Sequence, residues 1–116
     1  MIIGVGVDVV DIARFARTIE ATPALLTRLF AGSERGLPMH SLAGRFAAKE
    51  ALAKAFGAPG WLRWTDAVVV IGEAGAPSWQ LLGTLQHRAD ELGVVATHLS
   101  ISHDGGLATA MVVAEK

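Results

Sequence analysis

The sequence contains no cysteine. That absence excludes a disulfide framework, a thiolate zinc site and a cysteine nucleophile. Long apolar runs are missing too: residues 67–72 and 107–114, the longest, fall far short of the roughly 20 residues that a membrane span needs. Asp8 and Asp11 interrupt the apolar opening stretch and no basic region precedes them, so a secretory signal is not expected. There is no internal repeat, low-complexity tract or linker. Neither a Walker loop (GxxxxGKS/T) nor GxGxxG occurs, which argues against ordinary ATP and dinucleotide folds.

What remains is a short and rather apolar chain. Its 116 residues have room for a single domain, 1–116, burying roughly two-thirds of the surface that the unfolded chain exposes. With 52% hydrophobic and 18% charged residues, disorder is not expected, and a soluble cytoplasmic protein without a membrane partner is. Net charge is only −1, but it is unevenly spread. Residues 14–63 hold eight of the ten basic side chains and only Glu20, Glu34 and Glu50. A basic middle in a neutral protein points to an anionic partner at one place. Nucleic acid is not expected, because aromatics do not interleave with the basic residues.

Residues 1–10 alternate as a strand does. Ile3, Val5, Val7 and Val9 share one face, while Gly4, Gly6 and Asp8 share the other. Glycine inside a strand often marks close approach by another group. Asp11 is placed to cap a helix over 12–20, and Pro23 opens a second short helix with Leu25, Leu26, Leu29 and Phe30 turned inward. Residues 31–40 read as a loop. The strongest helix is 41–57, rich in alanine and closed by Gly57. It sets Glu50 and Lys54 one turn apart on one side, with Arg45 and Lys49 roughly opposite. Strands are expected over 66–73 and 78–82, and a helix over 85–92. A hairpin over 98–102 and 107–113 is expected to turn through His103, Asp104, Gly105 and Gly106. This order predicts an α+β domain, or a loosely wound α/β one.

Asp8, Glu50 with Lys54, and His103 are polar groups placed where burial or close packing is predicted. Each also has a plainer explanation: a strand-end acid facing water, a surface ion pair at i,i+4 and an ordinary turn residue. If Asp8 and Glu50 converge in a partly dry site, their repulsion calls for a cation. Two carboxylates are too few for a calcium cage, and no paired histidines favour zinc. Magnesium commonly takes one or two carboxylates and completes its shell with water and phosphate oxygens. Lys54 would add a point charge for the same phosphate.

Three segments, GVDVVDIARF, RFAAKEALAKAFG and HLSISHDGGLATAMVVAE, resemble the short, single-domain 4′-phosphopantetheinyl transferases, the holo-[acyl-carrier-protein] synthase family. The similarity runs in order through nearly the whole chain, including LFAGSER and GAPSWQLLG between the main motifs. It implies a fold with a small sheet, in part antiparallel, packed against helices that include a long central one. It implies transfer of phosphopantetheine from coenzyme A to a serine of apo-acyl carrier protein, releasing adenosine 3′,5′-bisphosphate, in support of fatty acid biosynthesis. Asp8 and Glu50 would hold Mg²⁺, with Mn²⁺ an acceptable substitute. Lys54, Ser102 and His103 would meet coenzyme A, and Arg14 and Arg17 would dock the acidic carrier. The resemblance also implies a homotrimer with each active site built across a subunit boundary. Two features depart from it: Gly57-Ala58-Pro59-Gly60 stands where a Gly-Thr-Gly turn is common, and residues 31–41 are shorter than in many members. From the residues alone, two rivals stay open. One is an enzyme acting on another pyrophosphate compound; the other is a domain that only binds coenzyme A or an acidic protein.

Overall fold

The alternating N-terminus forms the expected strand. In the computed structural model, which describes Met1–Lys116, β1 runs Ile2–Asp11. Asp11 ends it and caps the next element, its carboxylate accepting the Arg14 N–H at 2.9 Å. Helix α1 (Ile12–Ala21) buries Phe15 and Ile19. Phe15 stacks on Phe46 (centroids 5.2 Å apart) and meets Phe30 edge-on (6.3 Å), which fixes α1 beside the long helix and the short helix α2 (Leu25–Leu29).

The long helix α3 spans Met39–Ala55 and begins two residues earlier than the composition predicted, directly after Pro38. It has no simple apolar stripe because it is enclosed on most sides: Leu42, Ala43, Gly44, Ala47, Ala48, Ala51, Leu52 and Ala55 are all buried. A single 3₁₀ turn, Trp64–Asp66, leads into β2 (Ala67–Ile71), which pairs with β3 (Pro77–Leu81). Helix α4 (Gly83–Leu92) ends at Gly93 in the left-handed conformation, as its glycine predicted.

Strands β4 (Ala96–Asp104) and β5 (Leu107–Glu115) form the closing hairpin. Its turn is tighter than expected. Only Gly105 and Gly106 turn, both at positive φ, while His103 and Asp104 continue the strand and pair with Ala108 and Leu107. His103 is therefore a strand residue facing α3, not a turn residue.

The last strand lies between the other two, in the order β1-β5-β4, and every pairing is antiparallel. The fold is thus α+β, as predicted, with two antiparallel sheets against helices where one small sheet was expected, and the loosely wound alternative falls. The face of β1 turned inward is the bare one. An ideal Cβ on Gly6 would lie 1.8 Å from the Ala51 carbonyl oxygen, and one on Gly4 would lie 2.0 Å from that of Ala55. Helix and strand meet backbone to backbone. The valine face points outward, with Val5, Val7 and Val9 at 53, 59 and 58% exposure and Met111 beside them on β5.

One buried pair has no counterpart in the sequence reading. Lys49, placed there roughly opposite Glu50 and Lys54, is buried with all three ammonium protons used: by Leu29 O (2.8 Å), Glu34 Oε1 (2.7 Å) and Trp64 O (3.1 Å). Glu34 also accepts from the N–H groups of Ala31 and Val69. Burial presses the Lys49 pKa down, with Glu34 opposing it. Such a pair is tolerated because its hydrogen bonds are complete. It ties the end of α2 and the start of the 3₁₀ turn to α3.

Candidate active site

The approach of β1 to α3 brings Asp8 and Glu50 together. Both line a cavity of about 440 Å³ whose walls include Asp11, Arg14, Arg28 and Trp64. The Glu50 carboxyl is held above its usual range, chiefly by partial burial and then by the negative charge of Asp8, with Lys54 pulling the other way. Lys54 does not form the expected surface pair with Glu50. Its ammonium instead donates to Val7 O (2.9 Å) and Asp8 Oδ1 (3.3 Å), bridging helix to strand end. Asp8, Glu50 and Lys54 thus form one cluster, two like charges with one cation beside them.

That donor set suits a hard divalent cation. The carboxylates are close enough for Asp8 to raise the Glu50 pKa, and both face a cavity open to a ligand. No histidine, cysteine or further acid completes a ligand group of three with them. A metal held there would draw its remaining ligands from water and a bound phosphate compound, as magnesium commonly does.

His103 lies elsewhere. It faces a second cavity of about 390 Å³, on the β4 side of α3, with Ser41 and Arg45. Its Nε2 donates to the His40 carbonyl (3.0 Å), because a carbonyl can only accept, and the two rings meet edge to face. This leaves Nδ1 for another partner. The ring fits because residue 44 is glycine: an ideal Cβ there would stand 2.7 Å from Nε2. Within one chain, then, the expected residues divide between two cavities.

Ser102 alternates away from His103 and lies exposed on the outer sheet face, in register with Thr109, and lines neither cavity. Arg14 lines the carboxylate cavity; Arg17, exposed on the same helix, does not. Sequence reasoning gave no role to Arg45, whose largely buried side chain borders the His103 cavity with Nε 3.7 Å from Glu34 and lacking a hydrogen bond. The available signal was its position one turn before Lys49 in RFAAKEA. Arg28 and Trp64 were also missed, because only the tertiary fold brings α2 and the 3₁₀ turn to the cavity rim.

Comparison with known proteins shows the family of the chain. The family profile of the 4′-phosphopantetheinyl transferase superfamily matches residues 4–112, and the chain belongs to that superfamily. Holo-[acyl-carrier-protein] synthase from Clavibacter michiganensis is 59% identical over 115 residues, covering 99% of this chain and 97% of that one. The enzyme of that name from Streptomyces griseus is 56% identical over 121 residues, with 99% of each chain covered. The crystal structure of the Neisseria meningitidis holo-[acyl-carrier-protein] synthase superposes with a TM-score of 0.91 at 33% identity, covering both chains fully. That of Helicobacter pylori, solved in complex with coenzyme A, gives 0.85 at 32% identity, covering 96% of this chain and 99% of that one. The chain is a phosphopantetheinyl transferase of the holo-[acyl-carrier-protein] synthase type.

Proposed function

We propose that this chain transfers the 4′-phosphopantetheine group of coenzyme A to a serine of apo-acyl carrier protein, releasing adenosine 3′,5′-bisphosphate in a Mg²⁺-dependent reaction. The carrier hydroxyl oxygen bonds to the phosphorus attached to pantetheine, the bond to the nucleotide phosphate breaks, and the serine proton is lost. The observation that carries this reading is the convergence of Asp8 and Glu50 on one cavity walled in part by Arg14 and Arg28, with the Lys54 ammonium 3.3 Å from Asp8 Oδ1. A divalent ion bound by the two carboxylates would neutralise charge on the pyrophosphate. Lys54, kept in place by Val7 O, offers its ammonium to a phosphate oxygen. Most of the rate gain comes from positioning and charge stabilisation, since phosphoryl transfer asks little covalent chemistry of the protein.

The division of the site between two cavities favours an active site shared between copies. The outer face of the β1-β5-β4 sheet, with Val5, Val7, Val9, Leu107 and Met111 exposed, is an apolar surface of the kind subunits cover. In a trimer joined there, Asp8 and Glu50 of one copy and His103 and Arg45 of a neighbour would grip one coenzyme A. The protein would act in the cytoplasm, supplying holo-carrier for fatty acid synthesis. Incubation with apo-carrier protein, coenzyme A and Mg²⁺, followed by intact mass, tests the reading. A gain of one phosphopantetheine group is expected; an unmodified carrier refutes it.

A further inference from the structure

The turn after α2 folds around its own acid. The Glu34 N–H donates to Ala31 O at 2.9 Å, and the Glu34 carboxylate accepts the Ala31 N–H through Oε1 at 3.1 Å. This reciprocal pair, the arrangement a capping-box glutamate makes, turns the side chain inward, and Glu34 is 1% exposed. Oε1 also accepts from the Lys49 ammonium at 2.7 Å. Oε2 has two neighbours, which belong to different walls of the His103 cavity. It accepts the Val69 N–H at 3.3 Å and stands 3.7 Å from Arg45 Nε. Arg45 lines that cavity from α3, and Ile71, two residues beyond Val69 on β2, lines it with Gly75 and Pro77.

Arg45 is held by charge alone, since its buried Nε makes no hydrogen bond. The carboxylate thus sets where the guanidinium lies without using up its fork of donors. Two cations, Lys49 and Arg45, share this one acid. Lys49 has no proton left to give, so the surplus positive charge resides at Arg45, on the cavity. The field of an acid this near an anion site weakens anion binding. Its presence there is explained if fixing the guanidinium more than offsets that repulsion.

We infer that Glu34 is a positioning residue for coenzyme A: through Oε2 it holds the Arg45 guanidinium against the β2 wall of the His103 cavity, ready for an anionic group of the ligand; this rests on the transfer reaction proposed above. The same oxygen fixes both walls at once, Val69 through its N–H and Arg45 through its charge. An arginine freed from this anchor would have to be ordered again by each incoming ligand, at a cost in affinity.

The test is coenzyme A affinity in the presence of Mg²⁺, read by isothermal titration calorimetry on wild type, Glu34→Gln, Arg45→Ala and the double variant. Glutamine keeps the size and an acceptor but removes the charge. Kd is expected to rise about tenfold in Glu34→Gln and to change no further when that substitution is added to Arg45→Ala. The sign is diagnostic, because loss of the field alone would tighten binding. Tighter binding, an unmoved Kd, or an equal loss in both backgrounds overturns the assignment, as does wild-type affinity in Arg45→Ala. Glu34→Gln leaves the Lys49 ammonium buried without its acid, so the cycle is repeated with Lys49→Met present throughout, which withdraws that charge. The same signs are expected there, and they decide the matter if Glu34→Gln alone does not fold. Any of the overturning results with a wild type that modifies apo-carrier protein removes the Glu34 assignment alone. A wild type that leaves the carrier unmodified removes the underlying reading and the assignment with it.

Discussion

Replacing Gly6 with alanine should separate β1 from α3. The added Cβ would stand 1.8 Å from the Ala51 carbonyl oxygen, 2.7 Å from its carbon and 3.0 Å from the Ala55 nitrogen. All three are backbone atoms of one buried helix, so no rotamer change can clear them. Restoring ordinary contact requires helix and strand to part by roughly 1.5 Å. Overpacking that side chains can absorb costs about 1–3 kcal/mol, and a rigid backbone clash belongs at or above the top of that range. The lower freedom of an unfolded chain carrying alanine returns only about 0.4–1 kcal/mol. A net loss near 2–3 kcal/mol lowers Tm by about 10 °C in a domain of this size. Asp8, two residues on, would move away from Glu50, so Mg²⁺ should stabilise this variant less than the wild type. Differential scanning calorimetry of Gly6→Ala beside Gly36→Ala provides the check, because a Cβ at Gly36 meets nothing within 4 Å. Equal melting temperatures for the two variants would refute the claim that bare backbone brings helix and strand together.

Glu50→Gln should lower kcat on the order of 100-fold or more and abolish stabilisation by Mg²⁺, while raising Tm of the metal-free protein at neutral pH. The sign follows from the raised Glu50 pKa: its folded state favours the neutral acid, so stability is full below the ordinary value of 4.5 and falls as pH climbs through the raised value. The difference in Tm between variant and wild type should therefore open above pH 4.5, and a constant difference at all pH would contradict it. Gly44→Ala makes a different clash, against the end of the His103 side chain 2.7 Å away, which can swing aside. Tm should fall little while the KM for coenzyme A rises several-fold, and a large Tm loss with normal KM would reverse the assignment. Val7→Asp places a charge on the exposed apolar sheet face. Sedimentation should show a folded monomer without activity, whereas an unchanged assembly would rule that face out as the subunit contact.

Much of this was legible in the sequence because it depends on neighbours a few residues apart. The Asp11 cap, the alanine-rich helix, the Gly93 stop and the closing hairpin all come from local preference and spacing. The convergence of Asp8 with Glu50 stood in the local pattern only as a condition, and it was the resemblance to the transferase family that implied it. What stayed hidden needed distant partners. Alternation showed that β1 has two unlike faces, yet the inward one is the glycine face because the partner is a helix backbone. Helical spacing set Lys49 opposite Glu50 and Lys54 but could not name its partners, because Leu29 O, Glu34 and Trp64 O come from segments 15–20 residues away. The preference of Lys54 for Asp8 over Glu50 depends on a strand end that helical periodicity cannot place.

The two lysines of α3 show how stability and reactivity are divided within one helix. Lys49 has every proton satisfied and no access to solvent, and its charge serves only to join α2 and the 3₁₀ turn to the core. Lys54, five residues on, is half exposed and spends its bonds on a carbonyl and on one carboxylate of a strained pair. Between them Glu50 keeps a carboxylate where burial and Asp8 both oppose its ionisation. A site optimised for stability would replace that acid with a neutral side chain. Keeping two repelling carboxylates beside one exposed ammonium makes sense where a ligand with its own cation and phosphates completes the charge balance, and the glycine contacts of β1 hold the two acids near enough for that ligand to meet both.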